Sequence, residues 1–136
     1  MSLFRIVYVS DAVGAVGEGL LPLIDIIGVS DRNNRRDHLT GVLLRHDGRF
    51  IQAIEGARVD LDRLMARIGG DRRHRDIRIL SDRPIAARLF PDWAMARIDS
   101  TPDVARFLAA GLAQAGAGEK AERLLVEASR SMTVAP

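Results

Sequence analysis

The chain contains no cysteine, which excludes disulfides, thiol nucleophiles and cysteine-bound metal centres. The three histidines, His38, His46 and His74, have no metal-type spacing with one another or with a carboxylate, so we predict no metal site. No apolar run reaches the roughly 18 residues that a membrane span needs, and the N-terminus lacks the layout of a signal peptide. We therefore expect a cytoplasmic protein with no membrane partner.

Lysine is almost absent, since Lys120 is the single lysine among 20 lysine and arginine residues. The sequence pI is near 9.9, but the net charge is only +2. Few groups titrate between the carboxylates and arginine, so a small charge excess moves the pI far. The arginines are scattered along the chain, which is typical of solvated faces with a few bidentate contacts. We expect no direct nucleic-acid partner.

Aromatic residues are scarce at 4% of the chain, and Tyr8 and Trp93 are the single tyrosine and tryptophan. The 47% hydrophobic content is nevertheless ordinary for a globular protein. A chain of 136 residues is long enough to form one folded domain that buries roughly two-thirds of its unfolded surface. The scarcity of aromatics therefore limits the site chemistry, not the ability to form a core.

The hydrophobic pattern predicts the element order β-α-β-β-α-β-β followed by two helices. This order is that of an α+β, ferredoxin-like βαββαββ sheet with two helices on one face, plus two C-terminal helices. The predicted strands are Leu3–Ser10, Leu39–Arg45, a strand around Gln52, Ile77–Leu80 and Trp93–Ile98. The predicted helices are Leu20–Asn33, Val59–Ile68, one that starts at Thr101-Pro102-Asp103 and reaches Ala115, and one that carries Leu124 to Met132.

Gln52 interrupts an apolar strand that follows the hairpin signal Asp47-Gly48. A buried neutral amide costs free energy unless its donors and its acceptor are met, so a glutamine at the sheet edge facing water is the simpler reading. The amide can also donate at one end, accept at the other, and exchange the two by rotating. A second polar feature, Asn33-Asn34, reads most simply as a helix C-cap, because asparagine tolerates the left-handed conformation.

Several stretches, taken in order, resemble BLUF domains, the bacterial blue-light sensors that use FAD. The resemblance covers residues 3–98. The stretches that carry it are Phe4–Ser10 (FRIVYVS), Arg32–Arg36 (RNNRR) with Leu39–Gly41 (LTG), Phe50–Gly56 (FIQAIEG), Asp71–His74 (DRRH), Pro84–Ala86 (PIA) and Phe90–Met95 (FPDWAM).

The resemblance implies a role for each matching position. Tyr8 matches the tyrosine beside the flavin, Gln52 the switching glutamine, and Asn34 the asparagine at the pyrimidine edge of the ring. Trp93 and Met95 match the signal-linked pair on the last strand. The other positions that match flavin contacts or neighbours are Ile26, Ser30, Arg67, Asp71, Arg73 and His74. His38 stands where many members carry glycine, and nothing in the sequence accounts for it.

The residue chemistry agrees with this resemblance. Flavin excited by blue light is a strong oxidant, and tyrosine can give it an electron and then a proton. Tyr8 is the only phenol in the chain, and Gln52 is the group whose hydrogen bonds that transfer would rearrange. Taken singly, Tyr8 would be a core tyrosine with a satisfied hydroxyl, and Trp93 and Met95 would be plain core.

We expect a non-enzymatic sensor that binds FAD non-covalently and signals to an unknown partner protein. Residues 1–98 are predicted to form the flavin-binding domain and residues 99–136 a C-terminal helical extension. The apolar stripes of that extension predict packing on the other sheet face and a homo-oligomer contact. An RNA-binding module on the same type of sheet is the alternative, and it would need exposed aromatics on the central strands. A small hydrolase would need a glycine-rich anion loop that is not present.

Overall fold

The structure is a computed structural model that describes residues 2–13, 32–72 and 74–130. Within these residues, five strands form one sheet. The strands are β1 (Leu3–Ala12), β2 (Thr40–His46), β3 (Arg49–Ala57), β4 (His74–Ile85) and β5 (Ala96–Ile98). Residues 32–36 are helical and are labelled α1. The helices that follow are α2 (Arg58–Gly69), α3 (Pro102–Ala110) and α4 (Ala117–Arg130).

The sheet has the strand order β4-β1-β3-β2-β5. Strand β1 runs antiparallel to both β3 and β4, β2 runs antiparallel to β3, and the short β5 is parallel to β2. The first four strands therefore have the ferredoxin-like order, and β5 is an added edge strand beside β2. This arrangement confirms the predicted fold class.

Alternate residues of the central strands feed two separate cores, because successive side chains of a strand point to opposite faces. Ile6, Tyr8 and Ile54 lie on the face that α2 covers. The other face carries Val7 and Ile51, and it packs against α3 and α4. The predicted placement of the C-terminal helices on the opposite face is therefore confirmed.

Helices α3 and α4 bury their apolar stripes within the chain itself. Val104, Phe107 and Leu125 are at most 1% exposed, and full burial of such a side chain stabilises by roughly 1.5–3 kcal/mol. At Gly118, an added Cβ would lie 2.5 Å from the carbonyl oxygen of Leu80, so glycine allows α4 to approach β4 closely. These helices are part of the core of the described chain.

The start of α3 is as predicted, and its end is not. The Thr101 hydroxyl accepts a hydrogen bond from the Val104 amide at 3.2 Å, and proline occupies the first turn. The helix ends at Ala110, because Gly111 takes a positive φ of 91°. The predicted continuation of this helix through Leu112 to Ala115 is therefore wrong.

Two strand boundaries also differ from the prediction. Strand β4 spans 12 residues instead of Ile77–Leu80, because its partner β1 continues to offer backbone hydrogen bonds where the apolar pattern of β4 has stopped. Strand β5 has only three residues, since it pairs with β2 only from Val42 to Leu44. Trp93 and Met95 consequently precede the last strand instead of lying on it.

The left-handed backbone position after α1 belongs to His38, with a φ of 56°, and not to an asparagine. The helix continues to residue 36, so the C-cap interpretation of Asn33-Asn34 is wrong. Arg88 donates to the His38 carbonyl at 2.9 Å and helps to hold this turn. A positive φ is the conformation that glycine adopts most easily, which gives the physical reason why a glycine suits this position.

The predicted helix Leu20–Asn33 lies outside the described residues except for its last two positions. Across residues 2–13, 32–72 and 74–130, no helix is both long and apolar enough to cross a membrane.

Candidate functional site

Tyr8 and Gln52 face each other across the two central strands. They are direct partners in the register of β1 and β3, and they are 0% and 4% exposed. The Tyr8 hydroxyl donates a hydrogen bond to Oε1 of Gln52. Gln52 is therefore a buried central-strand residue, and the reading of a glutamine at the sheet edge facing water is wrong.

The other end of the Gln52 amide points to the segment before β5. Its Nε2 donates to Sδ of Met95 at 3.5 Å, and Met95 is 5% exposed. Trp93 is partly buried against the other core, the one that contains α3 and α4. Met95 therefore contacts Gln52, one of the two residues that the resemblance predicts to be photoactive, whereas Trp93 packs on the other face of the sheet.

Asn34 reaches the same segment from α1. Its Nδ2 donates to the Ala94 carbonyl at 2.7 Å, and the residue is 0% exposed. Its Oδ1 is buried and has no hydrogen-bond partner among the described residues. A buried acceptor without a donor costs roughly 1–3 kcal/mol, so this oxygen is suited to an N–H group of a ligand.

The Tyr8 phenol is held in its protonated form. Burial raises the pKa of Tyr8 far above its ordinary value, and the nearby charge of Asp71 raises the pKa further. A protonated phenol is the form that can donate to Gln52. The geometry and the protonation state therefore agree on the direction of this hydrogen bond.

Asp37 is a buried acidic residue that the sequence analysis did not single out. Three arginine side chains surround it: Arg36 at 3.1 Å, Arg67 at 3.3 Å and Arg63 at 3.6 Å. The hydrogen bond from Arg36 is the main cause that holds the pKa of Asp37 below its ordinary value, and Arg67 adds to it. Arg67, predicted as a flavin contact, thus ties α2 to the turn after α1. An aspartate that follows two arginines reads as solvated surface, so the sequence offered no signal for its burial.

The remaining predicted contacts are not described at the side-chain level. Ile26, Ser30 and Arg73 lie outside the described residues, as does the side chain of His74. Asp71 is half-buried, and it acts electrostatically on Tyr8. Within the described ranges, no group of three or more histidine, aspartate or glutamate side chains could hold a metal ion.

The donor and acceptor pattern fits a flavin. The unmet Oδ1 of Asn34 matches a ring N–H at the pyrimidine edge, and the amide of Gln52 offers both a donor and an acceptor. Tyr8 and Met95 belong to the apolar core between the sheet and α2, where Leu64 and Ile68 are also buried. Asn34, Gln52 and Tyr8 are therefore residues of this chain that could hold and sense such a ring.

The fold and these three residues are suited to a flavin-binding sensor domain, and comparisons with known proteins show the family. Residues 3–96 match the family model described as "BLUF: Sensors of blue-light using FAD". The chain belongs to the BLUF family, and its function is that of a flavin-based blue-light sensor domain.

Three relatives illustrate the range of the family. The chain is 33% identical over 101 residues to photoactivated adenylate cyclase subunit beta of Euglena longa, which covers 73% of this chain and 12% of that protein. BlrB, a BLUF protein in its dark state, is 28% identical with a TM-score of 0.80, over 93% of this chain and 96% of BlrB. BlsA in its photo-activated state is 25% identical with a TM-score of 0.80, over 98% of this chain and 99% of BlsA. The chain thus spans a small part of the Euglena protein and nearly all of the two small BLUF proteins.

We predict that Asn34→Ala weakens flavin retention and also lowers the stability of the flavin-free protein. The variant loses the hydrogen bond to Ala94, whose carbonyl then stays buried without a donor, at a cost of roughly 1–3 kcal/mol. Flavin titration and thermal melting of the flavin-free protein measure the two effects separately. Asn33→Ala, a change of the half-buried neighbour, is the matched control. Unchanged flavin affinity in Asn34→Ala would remove Asn34 from the site.

We also predict a pH signature for Asp37. Because the pKa of Asp37 is lowered in the folded state, its stabilising effect is present above the unfolded value of about 3.9 and is lost as the pH falls through the folded pKa. Asp37→Asn should therefore melt lower than the wild type near neutral pH, and the gap should close below about pH 4. Melting at a series of pH values tests this, with the exposed Asp92→Asn as control. A gap that stays constant with pH would contradict it.

Proposed function

We propose that this domain binds FAD non-covalently and senses blue light through Tyr8 and Gln52. The observation that carries the proposal is the buried hydrogen bond from Tyr8 to Gln52, together with the contact of the same amide with Met95. One small side chain thus touches both a potential electron donor and the segment that leads into β5.

The chemistry divides between the cofactor and the chain. Bound flavin, excited by blue light, supplies the oxidising power for taking an electron and a proton from Tyr8. Before light arrives, the phenol proton of Tyr8 is hydrogen-bonded to Oε1 of Gln52, so this amide oxygen is the nearest acceptor for it. The electron and the proton would both return to Tyr8, so the step would leave no net oxidation of the chain.

The signal is then a change in the hydrogen bonds of Gln52. Rotation of the amide would bring Nε2 toward Tyr8 and would remove the donor that the sulfur of Met95 has in this structure. Tautomerism of the amide would change the same contacts without rotation. In both cases the segment that carries Trp93 and Met95 gains or loses an attachment, which is a local change read through a bistable element.

FAD is the proposed flavin. Non-covalent binding is what the family resemblance implies, and the chain has no cysteine for a thioether link. The proposal of FAD follows the name in the family description. The described site residues Asn34 and Gln52 are suited to the ring, whereas the choice between FAD and FMN depends on the tail. Chromophore extraction is therefore the decisive measurement.

We further propose that residues 1–98 form the flavin-binding unit and that residues 99–136 form the output extension. The chain is proposed to have no catalytic activity of its own and to signal to a partner protein in the cytoplasm. One named relative is a photoactivated adenylate cyclase subunit, which supports coupling of such a domain to an effector. The homo-oligomer stays a prediction. The stripe residues Val104, Phe107 and Leu125 that prompted it contact the chain's own sheet.

The RNA-binding alternative loses its basis in this structure. Base stacking requires exposed aromatic side chains on the central strands. The available residues, Tyr8 and Phe50, are both 0% exposed. The comparisons give this alternative no support.

We predict that the purified protein is yellow and that its absorption shifts reversibly to the red under blue light. Heat should release the chromophore, because its binding is proposed to be non-covalent, and the released chromophore should run as FAD in chromatography. A chromophore that runs as FMN would correct the cofactor. A colourless protein that takes up no flavin on reconstitution would contradict the proposal.

We predict that Tyr8→Phe and Gln52→Leu each keep flavin but lose the reversible red shift. Each change removes a hydrogen-bonding group while roughly keeping side-chain volume, so the loss of packing is small. Gln114→Leu is the matched control, because it makes the same chemical change at a half-buried glutamine whose amide binds the Gly111 carbonyl. A normal photocycle in either site variant would contradict the assigned roles.

A further inference from the structure

A network of ion pairs, buried except at Arg83, lies on the sheet face opposite the photoactive pair. On β3, Glu55 is 0% exposed, and its Oε2 accepts from Nε of Arg5 at 2.8 Å. Arg5 also contacts Glu122 of α4 at 3.3 Å, and Glu122 accepts from Arg83 of β4 at 2.7 Å. Two carboxylates face two guanidinium groups, so the charges of this network balance.

The network shares its strands with the photoactive pair. Arg5 is the register partner of Glu55, as Tyr8 is of Gln52, on the same two strands β1 and β3. Because successive side chains alternate, an offset of three residues places the two pairs on opposite faces of the sheet. The same two strands thus carry the Arg5–Glu55 ion pair on the face covered by α4 and the Tyr8–Gln52 hydrogen bond on the face covered by α2.

Glu55 also holds the segment that leads to Met95. Its carboxylate accepts from the backbone amides of Leu89 at 2.9 Å and Phe90 at 2.8 Å. At the other end of this segment, Gln52 donates to Met95. Residues 89–95 are therefore fastened at one end to the photoactive glutamine and at the other to the ion network.

We propose that Glu55, Arg5 and Glu122 transmit the light signal from residues 89–95 to helix α4. Glu55 bonds both the segment and Arg5, so a shift of the segment changes how Arg5 is shared between Glu55 and Glu122. Glu122 is then the positioning residue through which α4 responds. This inference rests on the proposed function, because it needs the rearrangement at Gln52 as its trigger.

A purely structural role is the competing explanation. Removal of one partner of a buried ion pair destabilises a protein by leaving the other charge uncompensated, whatever that pair does in signalling. Stability alone therefore does not separate the two roles. The light-induced change in α4 separates the two roles. If the role is purely structural, a folded variant should show the same light-induced change as the wild type.

The test is amide hydrogen–deuterium exchange of the flavin-loaded full chain, in the dark and under blue light, for the wild type and Glu122→Gln. In the wild type, we expect light to change amide exchange both in residues 89–95 and in α4. In Glu122→Gln, we expect the red shift and the change in residues 89–95 to persist and the change in α4 to be lost. Glu127→Gln, at an exposed position of the same helix, is the control and should behave as the wild type.

Arg83→Gln is measured in parallel in case Glu122→Gln does not fold. The Arg83 side chain is 48% exposed, so replacing it disturbs the core less than replacing Glu122. The variant still removes the 2.7 Å contact between Arg83 and Glu122. Because Arg83 and Arg5 share the carboxylate of Glu122, Arg83→Gln should change the size of the light response of α4. Two outcomes would overturn this inference but not the proposed function. One is an unchanged light response of α4 in a folded variant, and the other is a wild type that shifts to the red without any light response in α4. Absence of the red shift in the wild type overturns the proposed function and the inference with it.

Discussion

The antiparallel pairing of β1 with β3 is the constraint on which the rest of the structure depends. Its register sets Tyr8 opposite Gln52 and Arg5 opposite Glu55. A shift of one residue would move every side chain of a strand to the other face and would separate both pairs. The pairing therefore creates, in one step, a hydrogen-bonded pair on one face and an ion pair on the other.

The two faces differ in how their polar groups are satisfied. On the α4 side, Glu55 receives three donors, and its charge is matched by Arg5. On the flavin side, Oδ1 of Asn34 is left without a donor among the described residues. A fully satisfied network fixes the geometry of a core, whereas a buried unmet acceptor marks the place where a ligand completes it. The satisfied carboxylate of Glu55 thus couples the sheet to α4, whereas the unmet oxygen of Asn34 is the candidate ligand contact.

Where sequence and structure differ, long-range contacts are the cause. Strand β4 extends over polar residues because β1 offers backbone partners, and proline at position 84 is tolerated since β4 is an edge strand. Asp37 becomes buried only because α2 brings Arg67 and Arg63 to it. His38 has a left-handed backbone that Arg88 helps to hold from a distant loop. None of these contacts has a local signature in the sequence.

The sequence by itself predicted the ferredoxin-like class, because periodicity and turn residues are local properties. The contiguous family motifs also singled out Tyr8, Gln52 and Asn34 as candidate site residues. Only the tertiary structure decided that Met95 contacts Gln52 while Trp93 packs toward the C-terminal helices. It also decided that Arg5, Glu55 and Glu122 meet, although they are far apart along the chain. Such contacts depend on the register between strands and on where the helices pack, and the side-chain pattern along one strand encodes neither.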